Sequence, residues 1–407
     1  MRKINCNHMK NFKRLLRLSI LCVCMVVVSC KSADTAETHV INFPEAIDNI
    51  GIVNLSDVAK SIRYVPLETR GDALVGEYPR IAYDGNHIVV ADLGGKINVF
   101  DNSGKFVRSI DRVGRGPEEF LPPLNSLSIF NGNIVAIGRE IVVYDIYGNF
   151  VRRVAVPNVE GYNIINPIMI GENRYAASVV DYTSGNTEYC AVVYDSLSNV
   201  DQLITIPGIS EPQALSGNSI SGAQDRVFLI LVARLFQYDD TFRLYYPESM
   251  EILSVDKLNV VDTAYVIEYG GYRMPDGHAS NMSLDNRYIQ LTSFFESERL
   301  LFMNVFTMAT ITTTGSRFLT FIYDKQTKKT SVLYDRIEDK RGFKDDMGDG
   351  PEFLPKSVFG KKTLLADIAA ISLIEYAENN TLSKDLEKIV STMDENSNPV
   401  IAIVELK

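Results

Sequence analysis

The stretch VFDNSGKFVR at residues 99–108 is repeated as VYDIYGNFVR at residues 143–152, 44 positions later. In both copies an aromatic residue ends an apolar run, Asp and Gly follow at the spacing of a tight turn, and a second run begins with Phe. A shorter apolar run precedes each copy, at residues 88–91 and 134–137, and a turn containing Gly connects it to the repeat. The pattern predicts a series of hairpins built to one plan.

The same strand and turn recur three more times, less regularly. VVYD ends at Asp195, LSVD at Asp256 and FIYD at Asp324, so that the intervals grow to 50, 61 and 68 residues. Periods of about 40 to 50 residues with about four strands each are typical of β-propeller blades. We therefore predict an all-β fold, a six-bladed β-propeller, rather than a sandwich.

Five repeats give five blades, and the two ends of the chain supply the sixth. The C-terminal strand 400–404 should pair with the N-terminal strand 62–67 and close the ring, which leaves no open sheet edge. Apolar residues at helical spacing also predict a short helical insertion at about 362–393, with Ser383 as an N-cap. The other five blades are predicted at 72–110, 117–156, 163–206, 223–270 and 278–335.

The N-terminal residues carry a targeting pattern. Residues 1–29 hold six basic residues, no acidic one and an apolar stretch at 18–28, which is typical of a secretory signal peptide and too short to span a membrane. The stretch ends in VVSC, which resembles the lipobox of bacterial lipoproteins and implies acylation of Cys30. We expect residues 30–50 to form a lipidated flexible tether and 51–407 to form the propeller. The alternative is a secreted protein with an incidental cysteine.

Charge and cysteine content exclude two classes of protein. The chain carries 41 basic and 51 acidic residues, and without the signal the net charge falls from −10 to −16, which disfavours binding to nucleic acid phosphates. Of the five cysteines only Cys190 follows Cys30, so a disulfide framework is excluded. Cys190 lies in an apolar run and is interpreted as a small buried residue.

Several stretches together resemble one family. They are DVAKSIRYVPLET at 57–69, the blade motif INVFDNSGKF at 97–106, GRGPEEF at 114–120 and NPV at 398–400. These are similar to the six-bladed, NHL-like β-propeller lipoproteins of gut anaerobes. The resemblance covers nearly the whole mature chain and implies the propeller fold and a place in the bacterial cell envelope, on a face of the outer membrane that it leaves open.

Two loops share a Gly-Pro-Glu pattern, GRGPEEF at 114–120 and GDGPEF at 348–353. Each follows the last strand of a blade, so their charged residues are predicted to lie at the rim of the central channel. One hypothesis is a ligand or cation site, and the other is structural, with Pro fixing φ and Phe120 and Phe353 filling gaps between blades. The candidate ligand-binding residues are Arg115, Glu118, Glu119, Asp349 and Glu352.

Catalytic patterns are scarce. Three histidines follow the signal, and the chain has no HExxH, Walker, GxSxG or CxxC motif. We therefore predict a lipid-anchored extracytoplasmic module that binds or scaffolds a protein, peptide or small ligand, without a cofactor and without nucleic acid. The alternative is a lyase or hydrolase that uses a divalent cation, Ca²⁺ being one candidate, at the channel mouth.

Overall fold

The predicted hairpins form six small antiparallel sheets arranged as the blades of a six-bladed propeller, which confirms the predicted fold class. The structure is a computed structural model, and it describes residues 39–180, 188–205, 232–247, 249–273, 288–307 and 318–407. The predicted signal peptide, Cys30 and residues 31–38 lie outside the described residues.

The elements are numbered in chain order. Before the first blade come β1 (His39–Asn42), α1 (Phe43–Asp48), a 3₁₀ turn (Leu55–Asp57) and β2 (Ala59–Pro66). Blade one contains β3 (Arg80–Tyr83), β4 (His87–Ala91), β5 (Ile97–Asp101) and β6 (Phe106–Ile110). Blade two contains β7 (Ser126–Phe130), β8 (Asn133–Ile137), β9 (Ile141–Asp145) and β10 (Phe150–Val154). Blade three contains β11 (Asn163–Gly171), β12 (Arg174–Val180), β13 (Tyr189–Asp195) and β14 (Val200–Thr205).

The remaining elements complete the ring. Blade four contains β15 (Arg234–Tyr238), β16 (Thr241–Tyr245), β17 (Glu251–Val255) and β18 (Val261–Glu268), followed by a 3₁₀ turn (Gly270–Tyr272). Blade five contains β19 (Ile289–Glu296), β20 (Leu300–Thr307), β21 (Phe318–Asp324) and β22 (Lys329–Val332), followed by the small hairpin β23 (Tyr334–Asp335) and β24 (Lys340–Arg341). Blade six contains β25 (Ser357–Phe359), β26 (Thr363–Ile368) and β27 (Val400–Leu406), with α2 (Ala370–Asn379) and α3 (Lys384–Val390) between the last two.

The ring is closed by both ends of the folded chain, as predicted. Strand β2 is the outermost strand of blade six, in which the strand order is β2-β27-β26-β25. The pairing is antiparallel, with Ile62 opposite Val404 and Pro66 opposite Val400. Closure therefore depends on hydrogen bonds between residues more than 300 positions apart.

Apolar cores lie between the blades. In β4, Val89 and Ala91 pack toward blade two, whereas Ile88 and Val90 pack toward blade six. Because both faces of such a strand are covered by neighbouring blades, it reads as a continuous apolar run rather than an alternating one. The described residues form one such core at each of the six blade interfaces.

The Asp of each repeat organises the turn that follows. Asp101 accepts hydrogen bonds from the backbone N–H groups of Ser103 (2.8 Å) and Lys105 (3.1 Å). Gly104 has φ +86°, and a Cβ at this position would lie 2.1 Å from the carbonyl oxygen of Pro66. Asp195 and Asp256 bind the backbone of their own turns in the same way. The Asp and Gly of the motif are therefore explained by the turn itself.

The Arg of the repeat links neighbouring blades. Arg108, on the outermost strand of blade one, donates to the carbonyl of Tyr147 in the corresponding turn of blade two. Arg63, on the closing strand of blade six, donates to the carbonyl of Asn102 at 2.8 Å. An Arg on the outermost strand of one blade thus binds the Asp-Gly turn of the next blade around the ring.

The predicted tether at residues 30–50 is wrong for residues 39–50. Strand β1 adds a fifth, parallel strand to blade four, with His39 opposite Tyr265 and Asn42 opposite Glu268. Ile41 and Phe43 are fully buried in the core between blades four and five. The short apolar stretch is stabilised by these long-range contacts. No local pattern in residues 39–48 predicts that they form a buried strand.

The predicted helical insertion begins too early. Residues 363–368 form strand β26, which pairs with β27, and the helices cover only 370–379 and 384–390. Leu364 and Leu365 are buried toward opposite neighbouring blades, so the apolar run reflects two-sided burial and not a helical face. Ser383 does precede α3, but its hydroxyl donates to the carbonyl of Gly348 instead of capping the helix.

The two faces of the propeller differ in their connections. One face, the short-turn face, carries the links within blades at 84–86, 102–105, 131–132, 146–149, 172–173, 196–199, 239–240, 256–260, 297–299, 325–328 and 360–362. Because the strands alternate in direction, the connections between successive blades, and the other links within blades, begin and end on the opposite face, the long-loop face; residues 43–58 cross from this face to the short-turn face. The long connections among the described residues are 67–79, 111–125, 333–356 and 369–399. Long connections on a rigid scaffold commonly carry binding residues.

Candidate functional site

The innermost strands β3, β7, β11, β15, β19 and β25 surround the propeller axis, and each begins at the long-loop face. Neighbouring strands touch there. Ser357 donates to the carbonyl of Ile81 at 3.3 Å, and the Asn125 amide lies 3.5 Å from the side-chain oxygen of Asn166. The starts of these strands therefore form a common mouth over the axis.

This mouth is polar and cationic. Within one position of the start of any innermost strand there is no Asp or Glu, although the chain as a whole is acidic. Three cations stand at these starts, on blades one, four and six. We call the following set the axial-mouth residues: Arg80, Asn125, Asn163, Arg234, Gln290 and Lys356.

The cations differ in their surroundings. Arg80 is exposed. Arg234 is half-buried between blades, and burial lowers its pKa from the usual value while Tyr245 opposes that change. The Arg234 Nε has no hydrogen-bond partner among the described residues. Lys356 pairs with Asp367 at 2.6 Å. Arg80 therefore keeps donors that a ligand at the mouth can use, whereas the Arg234 Nε is buried and Lys356 is already paired.

A strained aromatic residue stands beside Arg80. Tyr78 has φ +52°, in the left-handed region that bulky residues rarely occupy, and its side chain is 68% exposed. Such strain often accompanies functional positions, because the surrounding fold must hold the residue in place. Together with Arg80 it offers a stacking surface next to a cation.

The first Gly-Pro-Glu loop is held against the outer strands of blade two, not at the predicted channel rim. Tyr144 donates to the carbonyl of Glu118 at 2.6 Å, and Arg153 on the outermost strand donates to the carbonyl of Glu119. The Glu119 carboxylate accepts from the backbone of Gly116 at 2.7 Å. The loop is therefore ordered by its own carboxylate and by blade two.

The second loop also lies at the perimeter. Asp345 accepts hydrogen bonds from the backbone of Gly348 and Gly350 at 2.8 Å each, and Tyr64 on the outermost strand of blade six donates to the same carboxylate. A Cβ on Gly350 would lie 2.1 Å from the Tyr64 hydroxyl. These close contacts fix the loop against β2.

The five predicted ligand-binding residues are not brought together. Glu118 pairs with Arg112 at 3.2 Å and Glu352 with Lys340 at 3.1 Å, whereas Arg115 and Asp349 are exposed. The two loops belong to blades two and six, so no single site contains all five. Phe120 and Phe353 are 5% and 3% exposed in cores between blades, which confirms the structural interpretation of those two residues. The binding role of the charged residues stays a prediction.

Sequence reasoning missed the axial-mouth residues. Paired acids and recurring loops do not mark them; the shared property is a polar residue within one position of the start of each innermost strand, which is recognisable only once the strand starts are known. In this chain those positions carry Arg, Asn, Gln and Lys, spread over more than 270 residues. Only the ring brings them together.

Within the described residues no group of three or more His, Cys, Asp or Glu side chains is placed to hold a metal ion. In the same part of the chain, none of the helices combines the length and apolar character needed to cross a bilayer.

The chain is similar to one described family and to two solved structures. Residues 38–405 match the sequence profile described as "Domain of unknown function (DUF4934)". The crystal structure of a protein from Bacteroides fragilis, described as exported, is 18% identical with a TM-score of 0.65, and the match covers 91% of this chain and 99% of that one. A DUF4221 family member from Bacteroides vulgatus is 11% identical with a TM-score of 0.47, covering 86% and 97%. No curated protein sequence matches the chain significantly.

Proposed function

Because the chain belongs to the family described as "Domain of unknown function (DUF4934)", whose profile covers nearly all of the folded part, we propose a function from the site geometry: a lipid-anchored, extracytoplasmic recognition module. Its ligand binds on the long-loop face over the axis. The observation that carries the proposal is the concentration of long connections around six strand starts that hold three cations and no Asp or Glu within one position, only Lys356 being paired with an acid, Asp367.

The ligand class follows from the charges at the mouth. Arg80, Arg234 and Lys356 favour a ligand that presents carboxylate or phosphate groups, such as an acidic peptide or a small organic acid. The amides of Asn125 and Asn163 add donors and acceptors. In an acidic protein, a localised cationic mouth also directs such a ligand to the axis, because the rest of the surface repels it.

The anchor is part of the same proposal. Acylation at Cys30 would hold the module at a membrane of the cell envelope, and the likeness to an exported protein is compatible with that location. The test is partition into a detergent phase. The native chain should enter the detergent phase, and Cys30→Ser should leave it in water. A native chain that stays in water contradicts the anchor.

Ligand recognition is tested with defined anions. The melting temperature is measured in phosphate and in a series of di- and tricarboxylates at matched ionic strength. A bound anion at 100 times its Kd stabilises by about 2.7 kcal/mol, which raises the melting temperature by a few degrees. Arg80→Gln should abolish the increase, and Arg115→Gln, outside the mouth, should keep it. An equal increase in both variants contradicts the proposed site.

The alternative, a lyase or hydrolase that depends on a divalent cation, needs several oxygen or nitrogen ligands around one point. The described residues contain no such group of acidic, His or Cys side chains. Nothing in the described part of the chain therefore favours the enzyme over the recognition module.

A further inference from the structure

A row of exposed apolar side chains lies on the short-turn face. In each repeat the residue two positions after the turn Asp stands at the tip of the turn. In blades two, three and four this residue is Tyr147, Leu197 and Leu258, which are 66%, 79% and 83% exposed. In blades one and five the same position holds Ser103 and Gln326. Apolar tips are thus confined to three consecutive blades.

Neighbouring residues extend the row. Val200 and Val260, beside the tips of blades three and four, are 44% and 57% exposed. The turns of these blades are joined, since the side-chain amide of Asn259 donates to Asp201 at 2.7 Å. We call the following five residues the apolar rim: Tyr147, Leu197, Val200, Leu258 and Val260.

The fold does not require this composition. The turns are built by the Asp carboxylate and by a residue with positive φ, such as Gly148, Ser198 and Asn259. The tip residue contributes only its backbone N–H, which Leu197 and Leu258 donate to the turn Asp, and Ser103 donates the same group in blade one. Contiguous exposed apolar residues commonly mark an interaction surface.

The start of the folded chain indicates what that surface meets. Strand β1 runs parallel to β18, so Asn42 lies toward the long-loop face and His39 toward the short-turn face. The chain thus enters the fold at the outer edge of blade four, with His39 level with Tyr265, four residues along β18 from the end of the turn that bears Leu258 and Val260. Residues 31–38 separate His39 from Cys30, and at about 3.3–3.6 Å per residue they span at most about 30 Å.

We propose that the apolar rim inserts into the interfacial region of the membrane that holds the anchor, which turns the long-loop face away from the bilayer. The inference rests on the proposed lipid anchor at Cys30. A short link on blade four keeps this edge close to the lipid, so that weak apolar contacts act together with the acyl chains.

The charge around the rim defines the kind of lipid surface. Asp145, Asp201 and Asp262 lie beside the apolar tips. Of the nearby cations, Lys257 is paired with Asp240 at 2.8 Å, and Arg108 lies over the Tyr147 ring at 5.4 Å, close to Asp145. The rim therefore has no excess of cations for anionic headgroups. It should associate with zwitterionic phospholipid through apolar contact, with little dependence on salt.

The orientation is tested in vesicles of phosphatidylcholine that contain a lipid-borne fluorescence quencher. The full chain, purified from membranes, carries Leu258→Cys or the matched control Ser103→Cys, each labelled with an environment-sensitive dye. Cys190 is fully buried and does not compete for the dye. We expect at least threefold stronger quenching at position 258 than at 103, together with a blue shift at 258 only. Both substitutions lie at exposed turn tips and should change the melting temperature little; Ser103→Cys loses one exposed hydrogen bond, from the Ser103 hydroxyl to Asp101 at 2.6 Å.

Detergent partition and dye quenching together distinguish a failure of the proposed orientation from a failure of the proposed anchor. Detergent-phase partition together with equal quenching at 258 and 103 overturns the orientation and leaves the anchor standing. A chain that stays in the aqueous phase overturns both. If the dye at position 258 is shielded in the absence of lipid, at concentrations where the chain dimerises, the apolar rim is a contact surface for a second copy of the chain. That result also overturns the proposal. As a second variant, Tyr147→Ser with Leu197→Ser and Leu258→Ser should remove the quenching of a dye at position 200.

Discussion

The side-chain amide of Asn398 donates a 2.9 Å hydrogen bond to the carbonyl of Ala73, 325 residues earlier. Asn398 also donates to the carbonyl of Glu68 and accepts from the backbone of Val75, and its side chain is 3% exposed. The residue just before the last strand thus holds the connection that leads from the closing strand into blade one.

We expect Asn398→Ala to destabilise the protein by about 2–4 kcal/mol, because buried backbone groups of this connection lose their partners. The measurement is the free energy of unfolding in urea. Asn396→Ala, two residues away and exposed, is the control and should change it by less than about 0.5 kcal/mol. Equal effects of the two substitutions would show that Asn398 does not hold the closure.

A comparison of Gly85 and Gly104 distinguishes the cost of a positive φ from the cost of a steric contact with a neighbouring blade. Gly85 and Gly104 both have positive φ, but a Cβ on Gly85 meets nothing within 4 Å, whereas on Gly104 it meets the carbonyl of Pro66 at 2.1 Å. Gly85→Ala should cost about 1–2 kcal/mol of stability. Gly104→Ala should cost a further 1–3 kcal/mol or so, because blade six must move. Urea midpoints measured on both variants check the difference, and identical midpoints would contradict the contact.

A buried ionic cluster joins blades four and five. Glu296, 1% exposed, accepts from Arg243 at 2.7 Å, Lys325 at 2.6 Å and Tyr265 at 2.7 Å. Glu296→Gln should destabilise by about 3–5 kcal/mol, since two half-buried cations lose their counter-ion. Glu298→Gln removes an exposed pair with Lys362 and should cost less than about 1 kcal/mol. The free energy of unfolding is measured by heat or urea. An equal loss of stability in the two variants would refute a structural role for the cluster.

The turn aspartates predict acid sensitivity. The hydrogen bond from Asn199 lowers the pKa of Asp195, and the one from Asn149 lowers the pKa of Asp145. A carboxyl group whose pKa is lower in the folded state stabilises the fold above its unfolded pKa of about 3.9, and that contribution disappears as the pH falls through the folded value. The melting temperature should therefore begin to fall as the pH drops below about 4. Asp195→Asn should make that fall shallower, and Asp111→Asn, an exposed control, should not.

The repeat was readable because its chemistry is local. Asp101 and Gly104 build their turn within five residues, so their spacing alone predicts a hairpin, and five copies predict a ring. The closing strand could be found as well, since residues 62–66 and 400–404 are strand-forming runs at the two ends of the folded chain that the five repeats leave over. Strand β1 could not, because Ile41 and Phe43 become buried only through residues more than 200 positions away.

The site was harder to predict than the fold. Glu118, Glu119 and Glu352 attracted attention as charges in recurring loops, yet each makes a contact within its own loop or with a neighbouring cation. Arg80 and Arg234 stand in no motif. Their common property is a place at the start of an innermost strand, and that place is defined by the assembled ring and not by adjacent residues.

The central claim is that the long-loop face is the recognition face, and site-specific photocrosslinking in intact cells tests it most directly. A photoreactive residue is placed at Tyr78, beside the axial mouth, or at Asn86, on the short-turn face of the same blade. The account predicts a discrete crosslinked product at position 78 that Arg80→Gln abolishes, and none at position 86. The same product at both positions, or a product at 78 that Arg80→Gln leaves unchanged, would contradict it.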